Sequence, residues 1–256
     1  MRSKDAGLRY GWLQQTGMVF IDIKHREVTL KLVYYGPALS GKTTNLQQLH
    51  RLMGQQTASE LLTLNTRDDR TLFFDLLPLR FSTRGGLDIK LKLFTVPGQV
   101  MHAATRRIVL QGADGVAFIA DSQVSQTRNN NESFADLRRN LSENGIGEDD
   151  VALVIQFNKR DLPGIRSDDE VRKIASKGKE PVYKGTAIEG LGVADTFLGL
   201  ADLTWSKLES RYALKEKFGV DRSDFMAHVR SMLDAGSQAG RLPIDPPDRA
   251  DREGAV

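Results

Sequence analysis

The chain has 256 residues, 40% of them hydrophobic and 27% charged, with 36 Lys+Arg against 33 Asp+Glu for a net charge of +3. That apolar content builds a buried core and excludes a wholly disordered chain, while nearly balanced charge gives no licence for nucleic-acid binding. Cysteine is absent, which excludes disulfides, zinc knuckles and thiol catalysis.

Residues 1–17 form an N-terminal extension without the apolar core of a secretory signal, and no apolar run approaches the roughly 20 residues of a membrane span. A cytoplasmic protein is expected. From residue 18, short β-rich runs alternate with helical patterns, the signature of parallel strands joined by crossover helices. Strands are expected over 18–23, 28–35, 72–81, 89–96, 115–121, 151–158 and 182–184. A short polar link joins the first two, and Ser82-Thr83-Arg84-Gly85-Gly86 joins the next two. Both pairs favour hairpins, so the α/β sheet should be mixed, mostly parallel, with antiparallel pairs toward one edge.

Helices are expected over 42–53, 101–111 and 127–143, the last placing Phe134, Leu137 and Leu141 on one face. Ser167 is a candidate cap for a short helix through Ala175, with Asp168, Asp169 and Glu170 in its first turn. A long helix over 194–217 closes the main domain, which spans 18–217. An extension over 218–240 fits one more amphipathic helix, built on Phe225, Met226, Val229, Met232 and Leu233. Residues 241–256, with three of the eight prolines and few apolar groups, are expected to form a flexible tail.

The most informative segment is VTLKLVYYGPALSGKTTNLQQL, where a β-branched strand runs into Gly36-Pro37-Ala38-Leu39-Ser40-Gly41-Lys42-Thr43 and then into a helix. This is the phosphate-binding pattern G-x-x-x-x-G-K-[ST] in its strand–loop–helix setting. Gly36 and Gly41 permit backbone angles that turn successive N–H groups toward phosphate oxygens. Lys42 brings positive charge to the β and γ phosphates, and the Thr43 hydroxyl is a candidate Mg²⁺ ligand. Ser40 and Thr44 complete this nucleotide-binding set. The bland alternative, a glycine-rich turn with an exposed lysine, would match four fixed positions in roughly one chain in a hundred of this length. A P-loop alone leaves the base open.

The run VALVIQFN ends in Asn158-Lys159-Arg160-Asp161, an N-K-x-D pattern at a strand's carboxyl end, where open α/β sheets bind ligands. Two acceptor oxygens on Asp161 suit the paired N1–H and N2–H₂ donors of guanine, which adenine lacks. Asn158 would buttress the loop, and the Lys159 stem would lie along the base. Between these motifs, Thr95-Val96-Pro97-Gly98-Gln99 ends another strand. Gly98 can bring its N–H to a terminal phosphate and Gln99 can orient an attacking water. A plain Pro-Gly turn is the competing reading.

With VYYGPALSGKTTNLQ, DRTLFFDLLP, TVPGQ, GVAFIADSQ and FNKRDLPG in view, residues 18–215 resemble the MglA-like bacterial small Ras-type GTPases. The resemblance implies a P-loop three-layer α/β/α sandwich of small-GTPase type that binds GTP or GDP with Mg²⁺ and hydrolyses GTP slowly. It implies Thr71 as a second Mg²⁺ ligand and Arg70 as an arginine finger supplied within the chain, worth about 10³ to 10⁵ in rate in other GTPases. Lys42, Gln99 and Arg70 are then the catalytic set. It also implies that the Ala187 N–H contacts the guanine oxygen. As partners it implies an MglB-like roadblock homodimer and polarity or motility effectors, with no nucleic acid. Two departures stand out: Thr95 replaces the aspartate with which this motif starts in most small GTPases, a substitution the resemblance implies is a feature of the family and one that would weaken the grip on metal, and Ile188 follows Ala187 where family members tend to carry serine beside it. These departures keep a nucleotide-gated scaffold without hydrolysis open as an alternative. A P-loop ATPase is the other.

Overall fold

The computed structural model describes residues 20–53, 60–64, 74–99 and 102–239. The strand elements are β1 (Phe20–Asp22), β2 (Glu27–Tyr35), β3 (Leu62–Leu64), β4 (Phe74–Ser82), β5 (Asp88–Thr95), β6 (Gly115–Asp121), β7 (Ala152–Asn158) and β8 (Val182–Lys184). The helices are α1 (Lys42–Leu52), α2 (Ala103–Leu110), α3 (Thr127–Glu143), α4 (Asp168–Ala175), α5 (Val193–Tyr212), α6 (Leu214–Phe218) and α7 (Arg222–Ala239).

Strand β2 decides the layering, because alternate side chains leave it on opposite faces. Leu30, Leu32 and Tyr34 enter a core shared with α1, α5 and α7, whereas Val33 and Tyr35 enter a second core with α2 and α3. Strand β6 is buried along its whole length, as a central parallel strand covered on both faces must be. The result is a three-layer α/β/α sandwich.

The sheet runs β3-β4-β5-β2-β6-β7-β8, with β1 beside the start of β2. Strands β5, β2, β6, β7 and β8 are parallel neighbours, and β1/β2, β3/β4 and β4/β5 are antiparallel. Both expected hairpins are present, and the mixed, mostly parallel sheet matches the expected class. Strand β3 was not expected.

On α3, Leu137 and Leu141 are buried and Phe134 meets Phe118 edge-on at 5.0 Å, so the expected face packs on the sheet. Ser167 caps α4 in a full capping box with Glu170. The expected helix over 194–217 is instead two: Ala213 takes a left-handed backbone at φ 52° and separates α5 from α6. That break redirects the chain, and α7 folds back across α5 and α1. Phe225 stacks on Trp205 at 4.2 Å and 10°, and Phe225, Val229 and Met232 are buried in the α1/α5 core. Each such side chain contributes about 1.5–3 kcal/mol on burial. Arg222 pins the start of α7 to α5 with two 2.5 Å bonds to Asp202.

Candidate functional site

Parallel strands β5, β2, β6, β7 and β8 place their carboxyl ends along one edge of the sheet. The loops that leave those ends carry the motifs. Residues 36–41 connect β2 to α1, residues 96–99 follow β5, Lys159 to Asp161 follow β7, and Ala187 follows β8.

Lys42, the first residue of α1, is only 7% exposed, and its Nζ donates to the carbonyls of Gly36 at 3.0 Å and Pro37 at 2.6 Å. Burial pushes its pKa down from 10.5 to about 8, the Arg106 charge adds to the shift, and Asp75 partly offsets it. An ammonium in this position lacks a full countercharge, which a polyphosphate would supply. Ser40, in the same loop, is fully buried and its hydroxyl has no partner among the described residues. Such a cradle, with an unmatched cation at its centre, fits a nucleotide's phosphates.

The turn after β7 is locked to this loop by a single side chain. Asn158 Nδ2 donates to Ser40 O at 2.8 Å, while Asn158 Oδ1 accepts from Ala187 N at 2.9 Å. Gly41 makes the seam possible: its φ is +97°, and a β-carbon there would fall 2.2 Å from Asn158 Nδ2. Lys159 sits in the left-handed region at φ 63° with its Nζ 2.8 Å from Asp121 Oδ2, and Asp161 is exposed at the tip of the turn. Ala187 departs from expectation here. Its N–H is engaged by Asn158, so it acts as part of the seam, and the exposed Ile188 supplies the next amide of the turn.

A cavity of about 670 Å³ opens between the phosphate loop and residues 95–99, lined by Lys42, Thr43, Thr44, Asp75, Thr95 and Gly98 among others. Gly98 has no room for a side chain, since a β-carbon would fall 2.3 Å from Ala38 N. Gln99 is exposed beside it. Arg70 and Thr71 lie outside the described residues.

Asp75 is a residue of this site that no motif singled out. It is 6% exposed on β4, and its Oδ2 accepts from Thr43 Oγ1 at 2.6 Å and from Thr95 Oγ1 at 2.9 Å. The backbone N–H of Asp75 donates to Thr95 Oγ1 at 2.9 Å, so the two residues hold each other. The carboxylate that Thr95 lacks is therefore present at the site, carried by the neighbouring strand. A signal for it existed: Asp75 shares an inward face with Leu77 and Leu79, where a charge needs a reason. Thr43 and Asp75 form an oxygen donor pair of the kind Mg²⁺ takes beside phosphate oxygens and waters. Among the described residues no group of three carboxylates or imidazoles could cage a metal unaided.

A second cavity, of about 690 Å³ between α3 and β7, is walled by Phe118, Phe134, Ile155 and Phe157, with Asn130, Asn131, Arg138 and Arg166 also on its lining, and it holds none of the motif residues. No helix among the described residues is long and apolar enough to cross a membrane.

No family model matches the chain. Against curated proteins, it is 44% identical over 192 residues to the mutual gliding-motility protein MglA of Myxococcus xanthus (strain DK1622), covering 75% of this chain and 98% of that one.

Proposed function

The chain belongs to the MglA family of small GTPases, which implies guanine-nucleotide binding, and from that premise we propose that it is a GTP-operated switch with slow hydrolysis. The observation that carries this reading is one cavity flanked by a buried, under-compensated Lys42 on one side and the Thr43–Asp75 pair on the other. Lys42 and the loop amides would bind the β and γ phosphates. Thr43, with Asp75 behind it and Thr71 from the segment before β4, would hold Mg²⁺, whose charge neutralises the phosphates. Gln99 would orient water toward the γ phosphorus, and Arg70 would offset charge on the transferring group.

Base choice is assigned to Asp161, with Asn158 fixing the turn that presents it and Lys159 alongside. Intrinsic turnover is expected on the order of 10⁻⁴ to 10⁻² per second, rising when a partner positions Arg70, Thr71 and Gln99. By family likeness the partner is an MglB-like roadblock homodimer, and the setting is cytoplasmic control of polarity or gliding motility through effectors. Asp75 weakens the case for a scaffold without hydrolysis, because that case drew on the missing aspartate at Thr95. A P-loop ATPase is disfavoured by the Asn158 seam, which serves a dedicated base-reading turn.

Single-turnover hydrolysis of GTP with Mg²⁺, with and without the roadblock homodimer, tests the reading. Acceleration by the homodimer, lost in Gln99→Leu and Arg70→Ala, is the expected result. An unchanged, negligible rate in all arms would favour the scaffold.

A further inference from the structure

Arg106, on α2, is buried and belongs to none of the motifs. Its guanidinium points back under the loop that follows β5. Arg106 Nη1 donates to the Gln99 carbonyl at 2.5 Å and to the Pro97 carbonyl at 3.4 Å, bracketing Gly98. Its Nε donates to Asp136 Oδ2 on α3 at 2.8 Å. The same carboxylate oxygen accepts from the hydroxyl of Tyr35 at 2.5 Å, and Asn140 donates to that hydroxyl at 3.2 Å. Tyr35 is the last residue of β2, directly before the phosphate loop. Arg139 closes the set by donating to the other oxygen of Asp136.

Two features make this more than a surface ion pair. Side-chain exposures of 7% for Arg106 and 13% for Asp136 place the pair where water screens it little and where one partner alone would be costly. Burial raises the carboxyl of Asp136, yet Tyr35, Arg106 and Arg139 together outweigh that and hold it below the ordinary carboxylate range. The guanidinium also aims Nη1 at two backbone carbonyls, which fixes the path of the loop whatever its side chains do.

We infer that Arg106 is a positioning residue for Gln99: through Asp136 and Tyr35 it ties the backbone of residues 97–99 to the base of the phosphate loop. The inference rests on the proposed GTPase reading and deepens it. Gln99 can orient water only if its backbone is held within a fraction of an ångström, and displacement of about 1 Å costs on the order of a hundredfold in rate. Arg106 touches neither water nor phosphate in this scheme; it sets where Gln99 starts from.

The test uses the full chain with GDP or GTP and Mg²⁺ and reads three quantities: GDP affinity, single-turnover GTP hydrolysis, and amide hydrogen exchange over the peptide containing residues 97–99. Arg106→Met should leave GDP affinity within about threefold, cut hydrolysis about tenfold or more, and speed exchange in that peptide. Arg106→Lys keeps the charge but not the fork and should recover less than half of the lost protection. Asp136→Asn should act in the same direction, and the double variant should be no worse than Arg106→Met alone, since the two act as one unit. Should Arg106→Met fail to fold, Tyr35→Phe removes only the hydroxyl and should still raise exchange at 97–99. Exchange decides the matter even where turnover is too slow to measure. Unchanged exchange and hydrolysis in Arg106→Met, or in Tyr35→Phe where that variant stands in, would overturn the inference. Failure of the unsubstituted chain to bind GDP would instead overturn the GTPase reading.

Discussion

Raising the pH from 7 to 9 should weaken GDP binding about tenfold, and the cause is the proton on Lys42. In the empty fold burial and the Arg106 charge hold Lys42 near a pKa of about 8, down from 10.5. A bound diphosphate supplies the countercharge and restores a pKa well above that, so binding and protonation reinforce each other. At pH 7 about nine-tenths of empty molecules already carry the proton, and binding takes up about a tenth of one. At pH 8 the uptake is about half a proton, and at pH 9 about nine-tenths, with affinity lowered by about 1.4 kcal/mol. The nucleotide's own last phosphate proton titrates near pH 6 (pKa₂ about 6) and stays out of this window. Calorimetry in two buffers of different ionisation enthalpy measures the uptake directly. The sign for stability agrees: a depressed folded pKa leaves the empty fold with fewer bound protons than the unfolded chain, so its stability rises as pH climbs from about 8 toward 10.5. Zero uptake at pH 8, with affinity flat from pH 7 to 9, would refute the assignment of Lys42 as the buried partner of the phosphates.

Asp75→Asn should weaken the Mg²⁺ dependence of nucleotide retention by about 10–100-fold, the usual cost of losing a group that orients metal ligands, measured as nucleotide release against Mg²⁺ concentration. Phe225→Ala removes a fully buried ring stacked on Trp205 and should destabilise the GDP-bound protein by about 3–5 kcal/mol in denaturant unfolding. A loss under about 1 kcal/mol would mean that α7 is not part of the core.

Strand β6 was legible because full burial on two faces writes a long apolar run, and both hairpins were legible from their polar or glycine-rich links. The segments 36–43 and 158–161 lie where their motifs placed them, at the carboxyl ends of β2 and β7, because fixed residue types at fixed spacing mark a strand–loop junction even in a single sequence. What the sequence hid was relational. Asp75 acquires its role only when β4 pairs antiparallel with β5 and brings it against Thr95, a partnership 20 residues long that no local pattern encodes. The break at Ala213 was hidden for a related reason: alanine is a good helix former, and only the return of α7 onto Trp205 explains the turn. The setting of Arg106 was hidden in the same way, because its partners lie on α3 and in the loop after β5.

The most direct measurement of base choice is competition between GDP and ADP for the full chain with Mg²⁺, on the unsubstituted protein and on Asp161→Ala. GDP should bind at least about a thousandfold more tightly than ADP, and Asp161→Ala should remove most of that preference, because a buried guanine would lose the acceptor for its paired donors. Equal affinities for the two nucleotides, indifferent to Asp161, would contradict a guanine-specific switch.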